Sequence, residues 1–313
     1  MRIGWRALIK QTFTRASGKN FLGIEFTEHG LHVSVFEVKS RQPLWVAQHF
    51  IELANWPKKL SQWVQDQSMQ FSSCSIVLSR TQYNILLVER PKVDDQELQQ
   101  ALRWAAKDLI SHPEDVVMDF FDQPAQAVGA NKVALVTASK KVVNQVAEAF
   151  QQAQLNVHDI SIEEMSLCNL LPMTDSAVIV LSQDAGHDVC LNIIKAGKLY
   201  FTRRLKGFEL LSSLTLSELQ SGMLESLAIE VQRSIDYYDS QLRQAPVTQV
   251  LLSLDTDFQQ EMADSLKKLV FLDVGLLQPN VNSSANLKVK HAYLASLGGV
   301  LGQFVTMTES AAQ

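Results

Sequence analysis

Residues 22–36 read Leu-Gly-Ile-Glu-Phe-Thr-Glu-His-Gly-Leu-His-Val-Ser-Val-Phe, and residues 178–194 read Val-Ile-Val-Leu-Ser-Gln-Asp-Ala-Gly-His-Asp-Val-Cys-Leu-Asn-Ile-Ile. Each is an apolar strand, an acidic residue, a turn glycine (Gly30, Gly186) and an alternating strand, which is the pattern of a β-hairpin. The two glycines stand 186 − 30 = 156 positions apart in a chain of 313 residues, so the chain reads as two related halves. Working outward, a third strand follows each hairpin, at 43–51 and at 198–205. Both halves therefore open with three strands and pass into a helix.

Helices are expected at 56–69, with Leu60, Trp63 and Val64 as its apolar stripe, and from Asp94 or Asp95 to about Ile110, with Leu98, Leu102, Ala105 and Leu109 inward. Further helices are read at 140–154 and 163–171 and, as the longest, 219–244, where Leu224, Leu227, Val231, Ile235, Tyr238 and Leu242 keep helical spacing. Short strands are read at 75–78, 84–89, 116–121, 132–138, 157–162, 250–254 and 271–274, and residues 123–131 as an exposed turn. Strands alternating with helices in this way give an α/β class with mixed sheets covered by helices.

Hydrophobic residues make up 46% and charged residues 19% of the chain, an ordinary globular balance. The net charge of −5 gives no reason to expect nucleic acid. Cys74, Cys168 and Cys190 are scattered, with neither metal-ligand spacing nor a disulfide framework, as in a reducing cytoplasm. The apolar stretch 291–307 is short for a membrane span and contains Gly298-Gly299, so it reads as a docked or buried helix. Residues 1–20 carry Arg2, Arg6, Lys10, Arg15 and Lys19 and no acid, with Trp5, Leu8, Ile9 and Phe13 on one helical face. Two readings stay open there: a helix on an anionic membrane surface, through Arg2, Trp5, Arg6 and Lys10, or a loose basic tail. No nucleotide P-loop, dinucleotide glycine motif, zinc-protease motif or serine-hydrolase elbow is present. His29, His32 and the pair His187-Asp188 read as turn residues.

Four blocks, in order, resemble one family. They are Gly23-Ile24-Glu25 with 33–37, residues 97–119 around Arg103-Trp104-Ala105-Ala106, residues 136–143 with 153–167, and residues 199–203 with 230–238. Together they resemble the PilM-like proteins of type IV pilus assembly, and within them the MshI branch of the mannose-sensitive haemagglutinin (MSHA) pilus. The resemblance implies a two-lobed actin-like fold, a duplicated ribonuclease H-like architecture with a subdomain inserted in the first lobe. It sets the first lobe at 21–174 with the insertion at about 91–160, the second lobe at 175–305, and a polar tail at 306–313. It also implies a cytoplasmic partner at the inner membrane: the tail of a PilN-like membrane protein, lying in the groove between the first-lobe core and the insertion. Leu102, Trp104 and Val136 fall in the matching blocks and serve equally well as core residues.

In that superfamily two hairpin turns hold the phosphates of ATP with magnesium. The carboxylate positions the hydrated ion, glycine admits phosphate to the backbone N–H groups, and small hydroxyl residues donate further. Here Glu25 replaces the usual aspartate, bulky Phe26 stands beside it, Glu28 adds negative charge and Thr27 keeps one hydroxyl. In the second turn Asp184 and Gly186 survive, while Asp188 and Val189 replace the paired threonines. A Gly-Gly turn expected after the strand at 250–254 is replaced by Ser253-Leu254-Asp255-Thr256-Asp257. The expected outcome is a scaffold with vestigial phosphate loops and no cofactor. Glu25, Thr27, Asp184 and Gly186 are the candidate residues if ATP with magnesium still binds. The alternatives are an active actin-like ATPase, a sugar kinase of the same fold, or a cytoplasmic platform of a type II secretion system of the GspL kind.

Overall fold

The computed structural model describes residues 20–39, 42–284 and 287–311. The basic segment read over 1–20, with Arg2, Trp5, Arg6 and Lys10, lies outside them apart from Asn20. Along the chain run β1 (Asn20–Phe26), β2 (Gly30–Lys39), β3 (Gln42–Glu52), α1 (Trp56–Asp66) and β4 (Ser73–Leu78), then β5 (Tyr83–Glu89), α2 (Asp95–Ala105), β6 (Val116–Asp122) and β7 (Lys132–Ser139). Next come α3 (Lys140–Gln152), β8 (Asn156–Ile162), α4 (Glu163–Cys168), β9 (Ala177–Ser182), β10 (Val189–Lys195) and β11 (Lys198–Leu205). The chain continues through α5 (Leu224–Ser240), β12 (Val247–Ser253), α6 (Gln259–Val270), β13 (Asp273–Leu276) and α7 (Leu294–Ala311).

The halves share one topology. The first five-stranded sheet has the order β3-β2-β1-β4-β8 and the second β11-β10-β9-β12-β13. In each, the first three strands are antiparallel and the last two run parallel to the first. The chain divides into two compact units, one of residues 1–122, 131–170 and 280–313, the other of 123–130 and 171–279.

Three expected boundaries move. The inserted piece is the three-stranded sheet β5-β7-β6 carrying α2, so it spans 83–139 rather than 91–160. The amphipathic helix α3 and strand β8 that follow belong to the first sheet instead, β8 pairing in parallel with β4. The second lobe does not run on to 305, because residues 280–313 group with the first unit. Nor is 306–313 a separate tail, since α7 continues through 311.

Helix α7 lies on the first sheet through small residues. A Cβ on Gly23 of β1 would sit 1.8 Å from the Ser296 carbonyl oxygen, and one on Gly298 would sit 2.2 Å from that of Ser166. Polar side chains are satisfied across the same contact. The Ser34 and Ser296 hydroxyls lie 2.7 Å apart, Ser73 donates to Gln303 at 2.7 Å, and Gln303 donates to the Leu22 carbonyl at 3.0 Å. This is the docked helix expected from its length, and its glycines and serines are what close packing on a strand requires. The turn read at 123–131 contributes buried Ala125 to the core of the second unit. The long helix read from 219 starts only at Leu224, because Ser221 and Gly222 (φ +104°) leave helical geometry.

Candidate functional site

In an open sheet with parallel strands, ligands are held at the carboxyl ends of those strands. In the first unit β1, β4 and β8 end at one edge, where the register sets Glu25 beside Val77 and Val77 beside Ser161. Three charged residues emerge there: Glu25 on β1, Arg80 two residues beyond β4, and Glu163 immediately after β8. All three are buried, at 4%, 5% and 4% exposure, so their charges need partners nearby. Glu25 lies 3.7 Å from His32 Nδ1, and its carboxylate lies within 4.8 Å of that of Glu163. Arg80 forms an ion pair with Glu163. Next to it the Tyr83 hydroxyl donates to Glu164 at 2.5 Å. Burial first, and then the charge of Glu164, push the Tyr83 hydroxyl well above the usual phenol range.

The first hairpin turn closes on itself. Thr27 donates its hydroxyl to the Gly30 carbonyl at 2.8 Å, and the same hydroxyl oxygen accepts from the N–H groups of His29 and Gly30, each at 3.2 Å. The Thr27 N–H also donates to the Gly30 carbonyl, at 2.9 Å. The one retained hydroxyl and the amides around it are thus spent inside the turn, as in a side-chain-closed turn. Phe26 does not stand in the turn as the sequence suggested. Its side chain is buried against Trp56, ring centroids 5.0 Å apart. Glu28 and His29 are exposed and lie 3.5 Å apart.

The second turn is also closed by its first residue, whose side chain reaches beyond it. Gln183, 1% exposed, donates to the carbonyls of His187 at 2.8 Å and Phe208 at 2.6 Å, and its amide oxygen accepts from Asp255 N–H at 3.3 Å. Its own N–H donates to the Ser253 carbonyl at 2.9 Å. This one amide ties the hairpin to two further loops. Asp184 is half-buried, and its carbonyl accepts from His187 N–H at 3.0 Å. Gly186 has φ +75° and open space around it. The turn after β12, where glycines were expected, buries Leu254, whose N–H donates to the Gln259 side chain at 3.0 Å. Phe258 N–H donates to the Thr256 hydroxyl at 3.3 Å. Asp188 shares a hydrogen bond with Glu209. Its carboxyl is raised, by burial first and then by that neighbour, while Glu209 is lowered by backbone N–H donors led by that of Gly207.

Elsewhere, a groove of about 340 Å³ opens in the inserted subdomain, lined by Arg103, Trp104, Lys107, Pro113, Val116 and Met118 among others. Leu102 and Val136 are fully buried, whereas Trp104 is 70% exposed with the Lys107 ammonium 5.5 Å from its ring centroid. Ala105 and Leu109, read as part of the inward stripe of α2, are exposed, Leu109 at 60%, and Ala106 is buried instead, in line with Leu98 and Leu102. Cys74, Cys168 and Cys190 are all buried, and burial pushes the Cys168 thiol up to about 12, which removes thiolate chemistry there.

Glu25 and Thr27 thus fall in the first unit and Asp184 and Gly186 in the second. Sequence reasoning missed Arg80, Glu163 and Gln183. An arginine two residues after an apolar strand was the available signal for the first. Nothing marks Gln183, because its role comes from three loops converging.

The fold has solved counterparts. A chain of the PilM–PilN type IV pilus biogenesis complex is similar at TM-score 0.65 and 19% identity, over 93% of this chain and 99% of that one. The cytoplasmic domain of EpsL, an inner membrane component of the type II secretion system of Vibrio cholerae, is similar at 0.50 and 11% identity, covering 92% and 95%. A Bacteroides thetaiotaomicron protein with an actin-like ATPase fold and unknown function is similar at 0.50 and 10% identity, covering 88% and 95%. The chain has the actin-like fold. No family model and no curated protein matches it.

Proposed function

We propose that this chain is an actin-like adaptor of type IV pilus assembly, of the MSHA kind, which binds the cytoplasmic tail of a PilN-like inner-membrane protein and hydrolyses no ATP. The observation that carries this reading is the likeness, over almost all of both chains, to a protein solved in a PilM–PilN complex. The turns support the second half of it. Backbone N–H groups that could grip phosphate donate instead to Thr27, Gln183, Gln259 and Thr256. Rebuilding those turns around a triphosphate would first break these bonds, at about 1 kcal/mol each. Glu28 and Asp188 add charge of the sign that repels phosphate.

For the tail, the inserted subdomain offers an exposed Trp104 beside Arg103, residue types that dominate binding energy at interfaces, in a groove also lined by Lys107 and Glu114. An extended peptide with aliphatic and acidic side chains suits such a groove. No helix among the described residues is long and apolar enough to cross a membrane. In this proposal the chain works at the cytoplasmic face of the inner membrane, held there by its partner and by the basic segment 1–20.

Calorimetric titration with a PilN-like tail peptide tests the partner. Micromolar binding, about −8 kcal/mol, is expected, weakened about tenfold in Trp104→Ala. No heat and no co-purification would overturn it. Equilibrium binding of labelled ATP with magnesium tests the rest, and submicromolar affinity lost in Asp184→Ala would establish the ATPase alternative. Equal sedimentation with anionic liposomes by the full chain and by a version lacking residues 1–20 would remove the membrane role of that segment. The likeness to EpsL supports a secretion-system platform as the second reading.

A further inference from the structure

The edge formed by β1, β4 and β8 buries two carboxylates close together. Glu25 and Glu163 have oxygens within 4.8 Å of each other and exposures of 4% each. Two ionised carboxylates at that range repel far more strongly in a buried edge than in water. Paired buried carboxylates of this kind persist where a cation neutralises them, and a divalent ion held by oxygens is the common solution. Here the cation is part of the chain. Arg80 reaches the pair from the end of β4, is itself 5% exposed, and forms an ion pair with Glu163, while His32 Nδ1 stands 3.7 Å from Glu25 on the other side. The order is imidazole, carboxylate, carboxylate, guanidinium, with the basic groups flanking the acids.

We propose that the Arg80 guanidinium is the built-in counter-cation of this carboxylate pair. It offsets one of the two negative charges that a bound divalent ion would offset, and its removal makes Glu25 and Glu163 a better divalent-cation site. The geometry fits this role. A guanidinium is planar, carries a fixed charge and offers several donors to carboxylate oxygens. Being covalently tethered, it cannot be diluted away or chelated. The inference rests on the reading of a scaffold without nucleotide chemistry, because a guanidinium beside these carboxylates opposes binding of the ion that would bridge phosphates.

Titration with Mn²⁺ alone, followed by electron paramagnetic resonance and by thermal unfolding of the full chain, tests it. Arg80→Ala is expected to bind Mn²⁺ at least tenfold more tightly than the wild type, about 1.4 kcal/mol. Glu163→Gln added to Arg80→Ala is expected to cancel the gain, and Arg80→Lys, which keeps the charge, to show none. Should Arg80→Ala be too unstable to titrate, Mn²⁺ is expected to raise its unfolding midpoint and leave that of the wild type unchanged. Binding by the wild type as tight as by Arg80→Ala, a gain that survives Glu163→Gln, or no response of either protein would overturn the proposal. These readouts contain neither nucleotide nor tail peptide. A failure here with tail binding intact sinks only the built-in cation, whereas loss of tail binding with the Mn²⁺ response intact sinks only the adaptor role.

Discussion

The two opening hairpins have the same topology and nearly the same sequence outline, yet the side chain that closes each turn has a different reach. The first is closed from within, by the hydroxyl of Thr27 acting across three residues. The second is closed by its own first residue too, the Gln183 amide donating to the carbonyl at 187, but the same side chain reaches beyond the turn to a carbonyl at 208 and an N–H at 255. Their glycines differ as well. A Cβ on Gly30 would sit 2.3 Å from the Ile51 carbonyl oxygen, whereas one on Gly186 meets nothing within 4 Å. Duplication preserves the path of the backbone, while each copy finds its own way to satisfy the amides that the path exposes. What once could be one shared function becomes two local structural problems.

Four substitutions break or sharpen that contrast. Gly30→Ala carries the largest expected effect. It drives a methyl into the backbone of β3 and strains a positive φ, costing about 4 kcal/mol. All five tryptophans (5, 45, 56, 63 and 104) lie outside residues 123–130 and 171–279, so tryptophan fluorescence during urea unfolding reads the first unit directly. Gln183→Ala comes next. It leaves two buried carbonyls without their donor, costing about 3 kcal/mol, to be seen by far-UV circular dichroism with the tryptophan transition little changed. Gly186→Ala is expected to cost only about 1 kcal/mol, the price of a left-handed φ in open space. An equal loss in Gly30→Ala and Gly186→Ala would erase the distinction between the two turns.

The smallest effect belongs to Asp188→Asn. The Asp188 carboxyl is raised in the fold, so its ionised form is disfavoured there: the stability it contributes is present at acid pH and is lost as pH rises through the folded value. Asparagine mimics the neutral form, so the variant is expected to be more stable than wild type near pH 7. The gain should shrink as pH falls below the ordinary aspartate range, where both side chains are neutral. Glu209 is shifted the opposite way and pulls against this trend, which keeps the effect small. A gain that grows toward acid pH would show that the two carboxyls do not share a proton.

The hairpins, their glycines and the three-strand openings were legible because alternation and turn residues are local signals. The edges of the inserted subdomain were not. Helix α3 and β8 carry the same amphipathic patterns whichever sheet they join, and only the pairing of β8 with β4 decides it. The stripe of α2 failed at Ala105 and Leu109 because the buried line keeps a spacing of four through Leu98, Leu102 and Ala106, and beyond Ala105 the chain continues as a tighter turn at 107–109. Phe26 was misjudged for a simpler reason. Alternation along β1 sends Glu25 and Phe26 to opposite faces, and Phe26 takes the one that packs on Trp56. Of the candidate site, the positions of Glu25, Thr27, Asp184 and Gly186 at turns were readable. The hydrogen bonds that occupy the turns come from residues such as Gln183 and Gln259, remote in sequence or unremarkable in type.

The docking of α7 on β1 has a consequence for how this chain is made. The hydrogen bond from Gln303 to Leu22 spans 281 residues. A ribosome adds roughly 5–20 residues per second, so on the order of tens of seconds separate the emergence of the first strand from that of the helix that covers it. Throughout that interval one face of the first sheet is an unfinished surface with Gly23 and Ser34 laid open. The whole second unit, residues 171–279, is synthesised in the meantime and folds from contacts among its own neighbours. The sheet that is translated first is therefore the one whose covering is completed last.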